Sequence, residues 1–160
     1  MYDLLSGLTV IEGSAFVAAP LGGMTLAQLG ANVIRFDPIG GGMDFKRWPL
    51  DKKGNSLYWS GLNKGKKSIT INIRKEEGRD LIKSLICAPG PENGIFLTNR
   101  PPGGPLNFND LKSKRKDLIM LNILGSHDGT PAVDYTINCA LGYPMATGPR
   151  NSENPVNHLL

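Results

Sequence analysis

Asp134, the pair His127-Asp128, the lysines at 64, 66 and 67, the dipeptide Asn99-Arg100 and the cysteines 87 and 139 are the side chains here that could do chemistry. Asp134 follows a glycine-containing loop and opens a predicted helix, Tyr135 to Leu141. A carboxylate there is stabilised by the helix N-terminus, which explains it as a cap, yet it could also serve as an acid or base. His127 beside Asp128 would suit general-base chemistry only with a serine or cysteine held in a recognisable elbow, and no such elbow precedes them. Lys64, Lys66 and Lys67 crowd a turn just before a strand. Such a cluster is ordinarily a solvated surface, although lysine is also a flexible, many-donor partner for phosphate. Cys87 and Cys139 are the only two cysteines and lie far apart, so they indicate reduced thiols, with neither a disulfide framework nor a zinc site.

The elements that must position these groups centre on residues 7–42. Leu8 to Ile11 is a short β-branched run suited to a parallel strand buried on both faces. A helix is predicted from Ala18 to Gly30, with Pro20 in its first turn and Gly30 as its stop. Asn32 to Phe36 is the next strand, ended by Asp37-Pro38 and the glycines 40–42. This is a βαβ unit, but its first turn reads Gly-Ser-Ala-Phe-Val-Ala, without the G-x-G-x-x-G that lets backbone amides approach a pyrophosphate. An ordinary dinucleotide site is therefore not indicated.

Trp48 is expected to cover core. Residues 69–73 alternate so that Ile69, Ile71 and Ile73 share one face, and the polar other face suggests a position near an edge or under a loop. Arg74 to Ile86 is predicted helical, with acids early and Leu81, Ile82, Leu85 and Ile86 as its apolar stripe. Residues 94–98 form a fourth strand that delivers Asn99 and Arg100 at its carboxyl end, where ligands lie in open α/β sheets. A short charged helix spans Phe108 to Lys116, capped by Asn107 or Asn109. Residues 118–124 form the most apolar run and are predicted to be a central strand.

The fold class is thus α/β, a Rossmann-like parallel sheet with flanking helices. One domain suits the 160 residues and 40% hydrophobic content, while 20 glycines and 12 prolines require much loop. The net charge of +4 favours an anionic partner, but the dispersed basic residues lack interleaved aromatics, which argues against nucleic acid. No apolar run approaches the roughly 20 residues of a membrane span, and no basic signal region opens the chain, so no membrane partner and a cytoplasmic location are expected.

The stretch GLTVIEGSAFVAAPLGGMTLAQLGANVIRFDPIGGGMDFKRWP resembles the N-terminal signature of the family III CoA-transferases (CaiB/BaiF type), which also include acyl-CoA racemases. The resemblance continues through SLYWSGLNKGKKSITINIRKEEGRDLIKSLICAPG, DLIMLNILGSHDGTPAVDYT and NPVNHLL, and so spans nearly the whole chain. It is nearest to members that move CoA between the two carboxyl groups of one branched C4 diacid, C1 to C4 on mesaconyl-CoA. It implies that residues 1–160 are the N-terminal portion of the family's large domain, without the second domain, in a homodimer of interlocked protomers. The partners it implies are acyl-CoA and carboxylic acid substrates, with a CoA thioester as substrate, no permanently bound cofactor and no metal.

By the same resemblance, Val17, Ala18, Lys66, Lys67, Ile71, Ile73, Asn99 and Arg100 would hold CoA. The family pattern E-N-F-R-P-G is altered here, because Arg100 follows Asn99 directly. Asp134 matches the catalytic acid or base of the racemases and is a secondary acid/base candidate. The family's covalent nucleophile is an aspartate, expected just beyond Leu160, so the 160-residue chain alone should be inactive. Two alternatives remain: an acyl-CoA racemase, or a non-enzymatic CoA-binding or assembly module.

Overall fold

The computed structural model describes residues 3–151 and 154–156. The last four residues of the NPVNHLL segment, and the nucleophile position expected after it, lie outside the described residues. The chain forms two compact units, residues 1–123 and 124–160.

The first unit is built on five parallel strands: β1 (Thr9–Gly13), β2 (Asn32–Asp37), β3 (Lys67–Thr70), β4 (Ile95–Thr98) and β5 (Ile119–Asn122). Their spatial order is β3-β2-β1-β4-β5. Order reverses between β1 and β4, and in a doubly wound sheet that switch point is where a crevice opens at the carboxyl ends. The helices of this unit are α1 (Ala18–Gln28), α2 (Leu57–Leu62), α3 (Glu76–Ile86) and α4 (Phe108–Lys114). Each long crossover matches the predicted βαβ pattern, so the expected Rossmann-like fold is the observed one.

The two sheet faces are covered differently. On one, Ile11, Phe36, Ile71, Ile82, Ile86, Phe96, Leu111 and Leu118 form an apolar cluster with residues of α3 and α4. On the other, Val10, Val33 and Leu97 meet Ala19, Ala27 and Ala31 of α1 and its C-terminal turn. Small residues on α1 bring that helix close to the sheet. Two glycines allow other close approaches: a Cβ on Gly13 of β1 would enter the Phe36 ring, and one on Gly78 of α3 would meet the Asn72 carbonyl.

Several expectations are corrected. β3 ends at Thr70, although Ile71 N still donates to Asp37 O at 2.9 Å, so the apolar alternation outlasts the ladder. α3 begins at Glu76, because Lys75 is extended at its N-cap. Leu81 of its predicted stripe is exposed. β5 is an edge strand and not a central one, with Ile119 and Leu121 exposed and Leu118 buried. Composition shows that a strand is apolar, while its place is set by pairing, and β5 pairs with β4 alone. Trp48, expected over core, is 76% exposed. Asn107 caps α4, its side chain accepting from Asp110 N at 3.0 Å.

The second unit contains α5 (Asp134–Ala140) and α6 (Tyr143–Ala146). Its chain is tied together by Val156 N donating to Pro144 O and by the Thr147 hydroxyl donating to Val156 O. Among the described residues, no helix is long and apolar enough to cross a membrane.

Candidate active site at the carboxyl ends of β1, β2 and β4

Alternation along β1 and β2 turns Glu12, Arg35 and Asp37 to the α1 side of the sheet, just beyond the apolar Val10 and Val33. All three are buried. Arg35 forks onto Asp37 through Nε–Oδ2 at 2.8 Å and NH2–Oδ1 at 2.9 Å, and reaches Glu12 at 3.5 Å and Asp44 at 3.4 Å. Its NH1 also donates to Asn63 Oδ1 at 3.1 Å and Ser14 Oγ at 3.4 Å, and Trp59 lies under its guanidinium at 5.6 Å. Burial pulls Arg35 down, but the Asp37 hydrogen bonds and the charges of Asp37, Asp44 and Glu12 outweigh it and hold the guanidinium above its ordinary value.

Lys66 completes this network. Its Nζ donates to Glu12 Oε1 at 2.9 Å, Pro20 O at 2.8 Å and Asn63 Oδ1 at 2.8 Å. Glu12 Oε2 lies 2.8 Å from the same nitrogen as an ion-pair contact, without hydrogen-bond alignment. The Lys66 side chain is 1% exposed. Burial pulls its ammonium below the ordinary value, with the charge of Glu12 opposing. Glu12 has room only because Gly23 of α1 has no side chain: a Cβ there would occupy the place of Oε2.

Above this network runs the loop from β1 to α1, pinned from two sides. The Asn99 carboxamide accepts from Ala15 N at 3.0 Å and donates to Ala15 O at 2.8 Å. Asp44 Oδ2 accepts from Phe16 N at 2.9 Å. Phe16 has a φ of 65°, an uncommon conformation for a bulky residue. Val17 and the exposed Ala18 follow, opening an α1 whose first turn has no side-chain cap and no acid.

The residues singled out in the sequence thus divide. Val17, Ala18 and Asn99 meet at one place, the β1–α1 loop, but the Asn99 side chain is occupied by Ala15. Lys66 is not the surface cation expected of a basic turn: its donors face inward, onto the buried Glu12, the Pro20 carbonyl and Asn63. Lys67 on β3 is exposed. Ile71 and Ile73 turn their side chains into the apolar cluster, so their backbone is what they could present to a ligand.

Arg100 is half-buried over the Phe36 ring at 5.4 Å, makes no ion pair among the described residues, and leaves its Nε without a partner. Burial pulls its guanidinium below the ordinary value, Asp37 opposing and Arg35 adding to the shift. A half-buried, unpaired guanidinium is a ready partner for an anionic ligand.

In the second unit Asp134 is the first residue of α5 and half-buried, where the sequence placed a helix start. The Thr136 hydroxyl closes the turn on Val133 N and O. His127 is exposed, and Asp128 is engaged locally, accepting from Thr130 N at 3.0 Å and Thr130 Oγ1 at 2.7 Å. The backbone and hydroxyl of Thr130 hold Asp128 below the usual carboxylate range.

Sequence reasoning missed Asp44, Asn63 and the inward role of Glu12. The available signal was an acid inside an otherwise apolar strand, Val-Ile-Glu, paired with an arginine at the same depth in the next strand, Val-Ile-Arg. Asp44 carried no such signal; the structure shows that Gly42 makes room for it, since a Cβ there would crowd both the Asp37 and Asp44 carboxylates.

The β1–α1 loop, the start of α1 and the half-buried Arg100 all lie at the carboxyl ends of a doubly wound parallel sheet, where ligands lie in such folds. The CoA-transferase family III profile matches residues 5–158, and the chain belongs to that family. It is 60% identical over 161 residues to the 2-methylfumaryl-CoA isomerase of Chloroflexus aurantiacus, covering 100% of this chain and 39% of that protein. It is 36% identical to the succinyl-CoA–D-citramalate CoA-transferase of the same organism, covering 88% of this chain and 35% of that protein. A CaiB/BaiF family protein of Brucella suis, known from its crystal structure, matches with a TM-score of 0.85 and 29% identity, over 100% of this chain and 44% of that one. The chain therefore spans well under half the length of these relatives.

Proposed function

We propose that the full-length parent of this chain moves CoA between carboxyl groups, and that its substrate is mesaconyl-CoA, transferred within one molecule from C1 to C4. The observation that carries this reading is the 60% identity to a 2-methylfumaryl-CoA isomerase, since 2-methylfumaryl and mesaconyl name the same methyl-branched five-carbon acyl group. The chemistry is covalent catalysis by an aspartate beyond Leu160. Its carboxylate attacks the thioester carbonyl and expels CoA thiolate, giving a mixed anhydride. The thiolate then attacks the aspartyl side of the anhydride, releasing the diacid and leaving an aspartyl-CoA thioester. The other carboxylate of the diacid attacks that thioester and takes the CoA by the reverse sequence.

Negative charge develops on a carbonyl oxygen at each step and needs amide donors already in place. The uncapped start of α1, at Val17 and Ala18, supplies such donors. Lys67 and Arg100 provide positive charge for the phosphates and carboxylates of the substrate, and the backbone at Ile71 and Ile73 lines the CoA chain. Lys66 acts from beneath, holding Glu12. Asp134 is a secondary acid or base. The parent works as a cytoplasmic homodimer.

Incubating the parent with mesaconyl-C1-CoA and separating the isomers by chromatography tests this. Accumulation of the C4 isomer is expected. Substrate returned unchanged would replace the transferase reading with an inert binder, and exchange of the α-proton of a saturated 2-methylacyl-CoA with solvent would replace it with a racemase.

A further inference from the structure

The loop between β1 and α1 holds Phe16 at a φ of 65°, and such a conformation persists in a bulky residue only where its surroundings over-determine it. Asn99 fixes the backbone of Ala15, one residue earlier, and Arg47 lies over the Phe16 ring at 5.5 Å. The contact to the Phe16 amide itself comes from Asp44, whose Oδ2 accepts from Phe16 N at 2.9 Å. Asp44 is 1% exposed and sits in the turn after β2, with its Oδ1 3.4 Å from Arg35 NH2. One carboxylate therefore joins two systems. One of its oxygens belongs to the buried Glu12–Arg35–Asp37–Lys66 network, and the other sets the backbone leading into α1.

We propose that Asp44 is a positioning residue for CoA transfer: through it the buried ion network fixes the left-handed Phe16, and with it the direction of the Val17 and Ala18 amides. The proposal rests on the CoA-transfer reading for its kinetic consequence, but not for its structural one. Amides that are misdirected still allow CoA to bind by its phosphates, while they fail the oxygen on which charge develops. The loss should therefore fall on kcat and not on KM. An asparagine at position 44 is isosteric but presents either its oxygen to Phe16 N and its NH2 to Arg35, or the reverse. The charge of the Arg35 guanidinium favours the second orientation, which turns the NH2 onto Phe16 N and takes the acceptor away from that N–H.

The test uses the full-length parent and two readouts. By amide hydrogen exchange, Asp44→Asn should speed exchange at Phe16 by about tenfold or more while leaving α3 unchanged, since the acceptor for that N–H is weakened locally. By steady-state kinetics on mesaconyl-CoA, the same variant should lose about tenfold or more in kcat with KM within about threefold. Because glycine adopts positive φ without steric cost, the loss caused by Asp44→Asn should shrink in a Phe16→Gly background. A structural role for Asp44 unrelated to Phe16 would give the same loss in both backgrounds. Should Asp44→Asn not fold, Asp44→Glu is read the same way, keeping charge against Arg35 while displacing the acceptor. Unchanged exchange at Phe16, or a kcat loss indifferent to Phe16→Gly, overturns the proposal. Wild-type protein inert toward mesaconyl-CoA sinks the functional reading alone, and the exchange result then decides the role of Asp44.

Discussion

The two faces of one sheet show two ways of filling an interior. On the face toward α3 and α4, Phe36, Phe96, Ile82, Ile86 and Leu111 are buried among apolar neighbours. On the α1 face the apolar layer gives way, toward the carboxyl ends, to Glu12, Arg35, Asp37, Asp44 and Lys66, all buried and mutually paired. Hydrophobic burial is non-directional and tolerates exchange of shape at constant volume, whereas a buried ion network fixes distances and penalises loss of any member. The apolar face holds the fold; the charged one fixes the geometry of the loop beside the proposed substrate.

The largest expected effects break each face in turn. Arg35→Met leaves three carboxylates facing one lysine in the interior and should cost about 3–5 kcal/mol in urea unfolding. Ile82→Ala on the opposite face should cost a similar ~2–5 kcal/mol through the cavity it leaves. The comparison is sharpened by amide exchange: the first change should loosen residues 14–18 and the second should not. Equal loosening of that loop by both would show that the two faces are not distinct in role. Gly23→Ala puts a methyl group where Glu12 Oε2 sits and should cost about 1–3 kcal/mol, seen as a lower urea midpoint.

Smaller effects concern the exposed rim. Lys67→Ala should leave the unfolding midpoint unchanged and weaken binding of free CoA by roughly threefold to tenfold at low salt, a difference that narrows as salt screens the charge. Lys66→Ala should behave in the opposite way, lowering stability because the buried Glu12 keeps only the longer Arg35 contact and the Ser14 hydroxyl. Calorimetry and urea titration of both variants separate these roles, and interchange of the two outcomes would show that Lys66 reaches the ligand.

The smallest effect belongs to Asp51. The Asn55 side chain and backbone, with Lys53 N, hold its carboxyl below the ordinary value. A carboxylate whose folded value is depressed contributes stability above its unfolded value, and that contribution is lost as pH falls through the folded value. Asp51→Asn should therefore be slightly less stable than wild type at neutral pH and indistinguishable from it in strong acid. A gap that widened toward low pH would contradict this.

Most of the fold could be read from the sequence because periodicity reports burial. Short apolar or alternating runs marked the five strands, and β3's polar alternate residues suggested a place near an edge or under a loop, of which the structure shows the edge. β5 misled because apolar composition carries no information about which neighbour a strand pairs with. The candidate site was legible only by position, at strand ends. Asn99, Val17 and Ala18 converge there, but side-chain direction depends on what lies beneath. Lys66 in a Lys-rich turn looked solvated, and only the depth of Glu12 and the gap at Gly23 draw it inward. Asp44 was hidden in a glycine-rich turn, since nothing local marks an acid whose partner is the amide of Phe16, distant in sequence.

A structure of the full-length parent with CoA bound tests the central claim most directly, that the charged face positions the substrate loop. The account predicts the CoA chain against the backbone of Val17 and Ala18, Lys67 or Arg100 within ion-pair distance of its phosphates, Lys66 still on Glu12, and Phe16 still left-handed on Asp44. CoA bound away from the carboxyl ends of β1, β2 and β4, or Lys66 leaving Glu12 to meet a phosphate, would contradict it.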